Sequence, residues 1–164
     1  MTEREKIRKL RHNLYIGGIG VILFGLWGCM KAVMTLYLSE DVIVPSTIEP
    51  EYIHLYQVIL FIMVLILTAI IMAFHLYVGL NAIKAGKKGN QKKKYLFVAV
   101  FMALLSILSI IGDISIARND LKQIDIAITA VLVDSMFIFI IFDIIYSSAK
   151  IKTLENGLVT EKEL

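Results

Sequence analysis

The sequence predicts an all-α protein, an integral membrane four-helix bundle running up, down, up and down with both ends in the cytoplasm. Three observations predict it. The chain of 164 residues is 58% hydrophobic with a mean hydropathy of +0.77, against an apolar share of roughly 45–50% in soluble domains. Its apolar residues gather into four long runs, each able to cross a hydrocarbon core of about 30 Å. Its lysines and arginines cluster in the segments that an N-in, C-in threading places inside.

Residues 1–13 carry Arg4, Lys6, Arg8, Lys9 and Arg11 and are expected to form a basic cytoplasmic lead-in, with Thr2 and Glu5 spaced as a capping box. The first span, Leu14 to Leu38, is 25 residues long, more than the roughly 20 needed to cross, which implies tilt. Within it, Leu26-Trp27-Gly28-Cys29 is similar to a lipoprotein cleavage site. Against cleavage stand the bulk of Trp27 and the apolar run that continues past Cys29.

Ser39 to Glu51 holds Glu40, Asp41, Glu49 and Glu51 and no basic residue, as an outer loop should. The second span, residues 52–83, begins with Tyr52, His54 and Tyr56 as interfacial anchors. After it come Lys84, Lys87, Lys88, Lys92, Lys93 and Lys94 with nothing acidic between them. This segment marks the cytoplasmic side, and it attracts anionic lipid headgroups at up to about 1 kcal/mol per lysine. The third span covers residues 95–117 and a short turn of mixed charge leads to the fourth, residues 124–148. The spans and their connections thus form one bundle over residues 14–149. A polar cytoplasmic tail, residues 150–164, is expected to leave the helix at Asn156-Gly157.

The fourth span carries the sharpest signal, because Asp134 and Asp143 stand inside an apolar run. Fourteen Ile, Leu, Val and Phe between Ile124 and Ile145 favour insertion, by about 0.3–0.6 kcal/mol each, while each central Asp costs roughly 2.5–3.5 kcal/mol. The two contributions nearly cancel, so these acids need polar neighbours on other spans. Counting from the middle of each span places Lys31 about 7 Å outward, Asp113 about 10 Å outward and Asp134 about 4 Å outward. The same count places His75 and Asp143 about 9 Å inward. The intramembrane polar groups therefore sort into an outer layer of Lys31, Asp113 and Asp134 and an inner layer of His75 and Asp143. Each layer contains a carboxylate and a cationic or titratable partner, as the cost of a lone buried charge demands.

Alternatives remain for each layer. Lys31 can snorkel outward instead of meeting Asp134, and Asp143, whose face carries Tyr146, Ser147 and Lys150, can take Lys150 on its own helix instead of His75. Asp134 and Asp143 are nine residues apart, a half-turn offset that sends them to different neighbours. Small residues recur along the first helix at Gly18, Gly25 and Ala32 and in the pairs Gly25/Cys29 and Gly28/Ala32. On the second, Thr68, Met72, His75, Gly79 and Ala82 share a face. These stripes suit close helix packing. Ser106, Ser109 and Asp113 form a polar face on the third helix, read as packing or as a water-lined path.

Several classes are excluded. One cysteine rules out an internal disulfide. The net charge of +3 follows from topology and is no sign of nucleic-acid binding. No HExxH, GxSxG, CxxC, Walker or dinucleotide pattern occurs, and no cofactor or metal site is indicated. Gly112-Asp113 resembles one element of an intramembrane aspartate dyad, but the rest of that motif is missing. The leading expectation is a non-enzymatic accessory, scaffold or assembly subunit of a bacterial plasma membrane, binding itself or a larger membrane protein. The runner-up is a small oligomeric ion- or proton-coupled transporter or channel that uses these intramembrane Asp, Lys and His residues.

Overall fold

A computed structural model describes residues 2–38, 50–88, 94–119 and 124–160. It is all-helical: α1 Glu3–Leu38, a single 3-10 turn Pro50–Tyr52, α2 Ile53–Lys88, α3 Lys94–Asn119 and α4 Ile124–Thr160. All four α-helices are long and apolar enough to cross a membrane. Neighbouring rods are antiparallel. Gly18 meets Gly79, while Arg11 and Tyr15 meet Gly86, which pairs α1 with α2. Gly17 meets Ile144 and Phe24 meets Phe137, which pairs α1 with α4. Tyr95 meets Ser148, which pairs α3 with α4. The chain therefore runs up, down, up and down, and Glu3 and Thr160 stand at the same end of the bundle. The seam between α2 and α3 is the thinnest contact around the ring.

Three boundaries differ from the sequence reading. The basic lead-in and the first span are one helix of 36 residues, capped as expected: Thr2 N–H donates to Glu5 Oε2 at 2.8 Å and Glu5 N–H to Thr2 Oγ1 at 3.4 Å. Similarly, α2 continues into the lysine segment as far as Lys88. The expected stop at Asn156-Gly157 is corrected too, since α4 continues through it to Thr160. A helical glycine costs about 1 kcal/mol relative to alanine, a penalty the neighbouring turns offset. Ile151 is fully buried, Leu154 packs on the core, and Arg11 Nη2 bonds Glu155 Oε1 at 2.9 Å. The tail through Thr160 is thus the last part of a rod. Residues 1, 39–49, 89–93, 120–123 and 161–164, which include the expected acidic outer loop as far as Glu49, lie outside the described residues.

Packing is concentrated at the end that carries the termini. Leu14, Val21, Val78, Ala82, Ala99, Ile141 and Ile144 are buried there, with Tyr95 O–H donating to Ser148 Oγ at 3.3 Å in the same layer. Beyond this layer burial thins on α1 and α2, while Ala127 near the start of α4 is still buried. On α2 and the turn before it no residue from Glu51 to Tyr77 is buried, and on α1 none from Leu26 to Val33.

Candidate functional site

Glycine sets where α1 and α2 touch. A Cβ on Gly18 would stand 2.6 Å from Gly79 O, and one on Gly79 would stand 2.7 Å from Gly18 O. A Cβ on Gly25 would stand 2.6 Å from the Cβ of His75. These approaches exclude any larger residue without moving backbone, as expected for small residues at a tight helix crossing. The expected faces of the first and second helices therefore do meet, through Gly18, Gly25, Met72, His75 and Gly79. At Gly28, three residues beyond Gly25, a Cβ would find nothing within 4 Å. The predicted Gly28/Ala32 pair does not pack Gly28 on another helix of this chain: Gly28 lies about 60° around α1 from Gly25, on a side that lines open space.

That space is a cavity of about 670 Å³ lined by all four helices. Its polar wall consists of Lys31 from α1, His75 from α2, Ser106 and Ser109 from α3, and Thr129 and Asp134 from α4. Aromatic rings close its inner end. Phe137, 5% exposed, has its centroid 5.6 Å from that of Phe24 and 5.2 Å from that of His75. Gly25 makes this possible, because only a glycine lets the base of His75 lie against α1 with the ring turned to Phe137.

His75 Nδ1 lies 2.9 Å from Ile71 O. A carbonyl oxygen only accepts, so Nδ1–H is the donor, and in the neutral form of this tautomer Nε2 is an acceptor. Asp143 is elsewhere. It accepts a 3.4 Å hydrogen bond from Ser147 Oγ, one turn along its own helix, and does not line the cavity. The inner layer inferred from depth is therefore divided: His75 joins Lys31 and Asp134, while Asp143 takes the same-helix partner. Depth along a span locates a residue's height but leaves its direction around the rod open, and the half-turn offset between Asp134 and Asp143 sends only the first into the cavity.

Lys31 and Asp134 share the cavity without forming an ion pair with each other, among the described residues. Asp113 is half-buried and not part of the lining, so the serine face contributes Ser106 and Ser109 but stops short of that acid. Lys84, Lys87 and Lys94 are exposed at the end with the termini. Lys87 Nζ stands 5.2 Å above the Tyr15 ring, a cation–π contact that holds it against α1. Lys92, Lys93 and the side chain of Lys88 lie outside the described residues.

Two features escape the sequence reading. The Phe24, His75 and Phe137 cluster is hidden because phenylalanines in a span look like lipid-facing filler. The Arg11–Glu155 pair joins segments read as a lead-in and a tail, although both are charged and both lie on one side of the spans. Comparison with family models, curated proteins and solved structures returns no match.

Proposed function

We propose that the chain is a small polytopic component of a bacterial cell membrane, with both termini in the cytoplasm, serving as a non-enzymatic accessory or scaffold subunit. The observation that carries this reading is the uneven packing. One end is a solid four-helix core, while the other opens into a cavity with polar groups on its wall. In hydrocarbon those polar groups need an answer from outside the chain, which a second copy or a larger membrane protein supplies. Exposed Lys84, Lys87 and Lys94 at the solid end suit anionic headgroups on the cytoplasmic face.

Native electrophoresis of extracted membranes tests this. The wild type should migrate as an assembly larger than its 18.5 kDa chain, and Asp134→Asn should diminish that assembly. A second reading, a transporter, is favoured by the position of Lys31, His75 and Asp134 in one cavity closed at its inner end by packed side chains. Unchanged assembly in Asp134→Asn, with proton or solute flux lost from proteoliposomes, would select it.

A further inference from the structure

The cavity contains two opposite charges that do not neutralise each other directly, and a ligand class follows from that. Lys31 is exposed and Asp134 half-buried, so the ammonium stands nearer the mouth and the carboxylate deeper. Phe137, one turn along α4 from Asp134, brings the aromatic cluster with Phe24 and His75 beneath that carboxylate. A carboxylate beside aromatic rings is suited to an ammonium group, since both the charge and the ring faces attract it. His75 has committed Nδ1–H to Ile71 O, so the neutral ring has Nε2 as its remaining acceptor, on a residue that lines the cavity. With Asp134 and the hydroxyls of Ser106 and Ser109 there are enough acceptors for the three N–H groups of a primary ammonium.

Charge balance narrows the choice. A simple cation would be repelled by Lys31 and a simple anion by Asp134, and such repulsions are costly between low-dielectric walls. A molecule carrying both charges answers both residues. The remaining wall includes Ile71, Leu105 and Val133, which suit an apolar portion. The volume of about 670 Å³ lies within the roughly 300–1,000 Å³ common for small-molecule sites.

We propose that this cavity binds a zwitterionic amphiphile, with its primary ammonium deep against Asp134 and the aromatic cluster and its anionic group at Lys31. The proposal rests on the non-enzymatic reading of the chain above and differs from it in having a bound zwitterion, not a partner chain, answer Lys31 and Asp134. Two sources share the chemistry. One is a phospholipid with an ethanolamine head entering sideways through the thin α2–α3 seam; the other is a water-borne amino acid with an apolar side chain entering by the mouth.

The full chain, purified and placed in nanodiscs, decides among them. Native mass spectrometry compares retention of phosphatidylethanolamine with that of phosphatidylglycerol, and equilibrium dialysis measures binding of phenylalanine. One of the two zwitterions should bind saturably, and Asp134→Asn or Lys31→Gln should weaken it roughly tenfold or more, the scale of one charge-assisted hydrogen bond. Asp143→Asn, outside the cavity, should leave it unchanged. If Asp134→Asn fails to accumulate, Leu105→Trp narrows the cavity without removing a charge and should abolish the same binding. A preference for phosphatidylglycerol, or equal retention of both lipids with no phenylalanine bound, would overturn the proposal. So would tetraphenylphosphonium binding that Lys31→Gln strengthens while neither zwitterion binds. Assembly lost in Asp134→Asn with no zwitterion bound would sink the ligand and leave the accessory reading standing. Zwitterion delivered into a vesicle lumen would keep the ligand and replace that reading with transport.

Discussion

Gly18 and Gly28 lie on the same helix and meet opposite surroundings, the first against backbone and the second against space. Gly18→Ala should therefore lower stability by about 1–3 kcal/mol, the usual cost of overpacking, visible as a lower melting temperature in detergent. Gly28→Ala should leave the melting temperature unchanged or raise it slightly, because alanine is the better helix former. Equal effects at the two positions would contradict this difference in their surroundings. The seven-residue spacing of Gly18 and Gly25 makes this face legible in sequence, but spacing tells which residues share a side and not where two rods part. Asp134 and Asp143 teach the same lesson. The cost of charge in hydrocarbon led to expected partners on other spans, but Asp143 takes Ser147 on its own helix and Asp134 only shares a cavity with Lys31 and His75, an outcome that depends on rotation about the helix axis.

At the scale of the element, α4 is the informative case. Its last turns contain Lys150, Lys152 and Asn156-Gly157, which read as a polar exit, yet Ile151 is fully buried between them. One apolar position per turn was too sparse a pattern to outweigh the glycine, and only the neighbouring turns of α1, with Ile7 and Leu10, explain it. Ile151→Ala should cost about 2–5 kcal/mol, as for other buried isoleucines. Glu155→Ala should cost at most about 1 kcal/mol, because the Arg11–Glu155 pair is 37% and 40% exposed. Chemical unfolding of the two variants in detergent gives both values, and a larger loss from Glu155→Ala would reverse the ranking of packing over charge.

For the whole molecule, helix number, order and approximate extent were legible, because runs of apolar residues long enough to cross a bilayer leave few alternatives. The cavity was not. It is lined by all four rods, and residues such as Phe24, Ser106 and Val133 come together only in three dimensions. The N-in, C-in orientation rests on the basic residues alone. A phosphatase reporter that is active only in the periplasm should be silent after Leu164, and an active fusion there would reverse the proposed orientation.

One-sided packing also gives the molecule a direction in which to come apart. Cys29, the sole thiol, sits on α1 past Gly25, beyond which no residue as far as Val33 is buried, whereas Ala99 is enclosed where α3 meets its neighbours. As sodium dodecyl sulfate is added, maleimide should reach Cys29 before it reaches the thiol of Ala99→Cys in a Cys29→Ser background. Loss of order would then spread from the cavity mouth towards the turns that carry Arg11 and Glu155, and those turns, near the first and last helical residues, would be the last to let go.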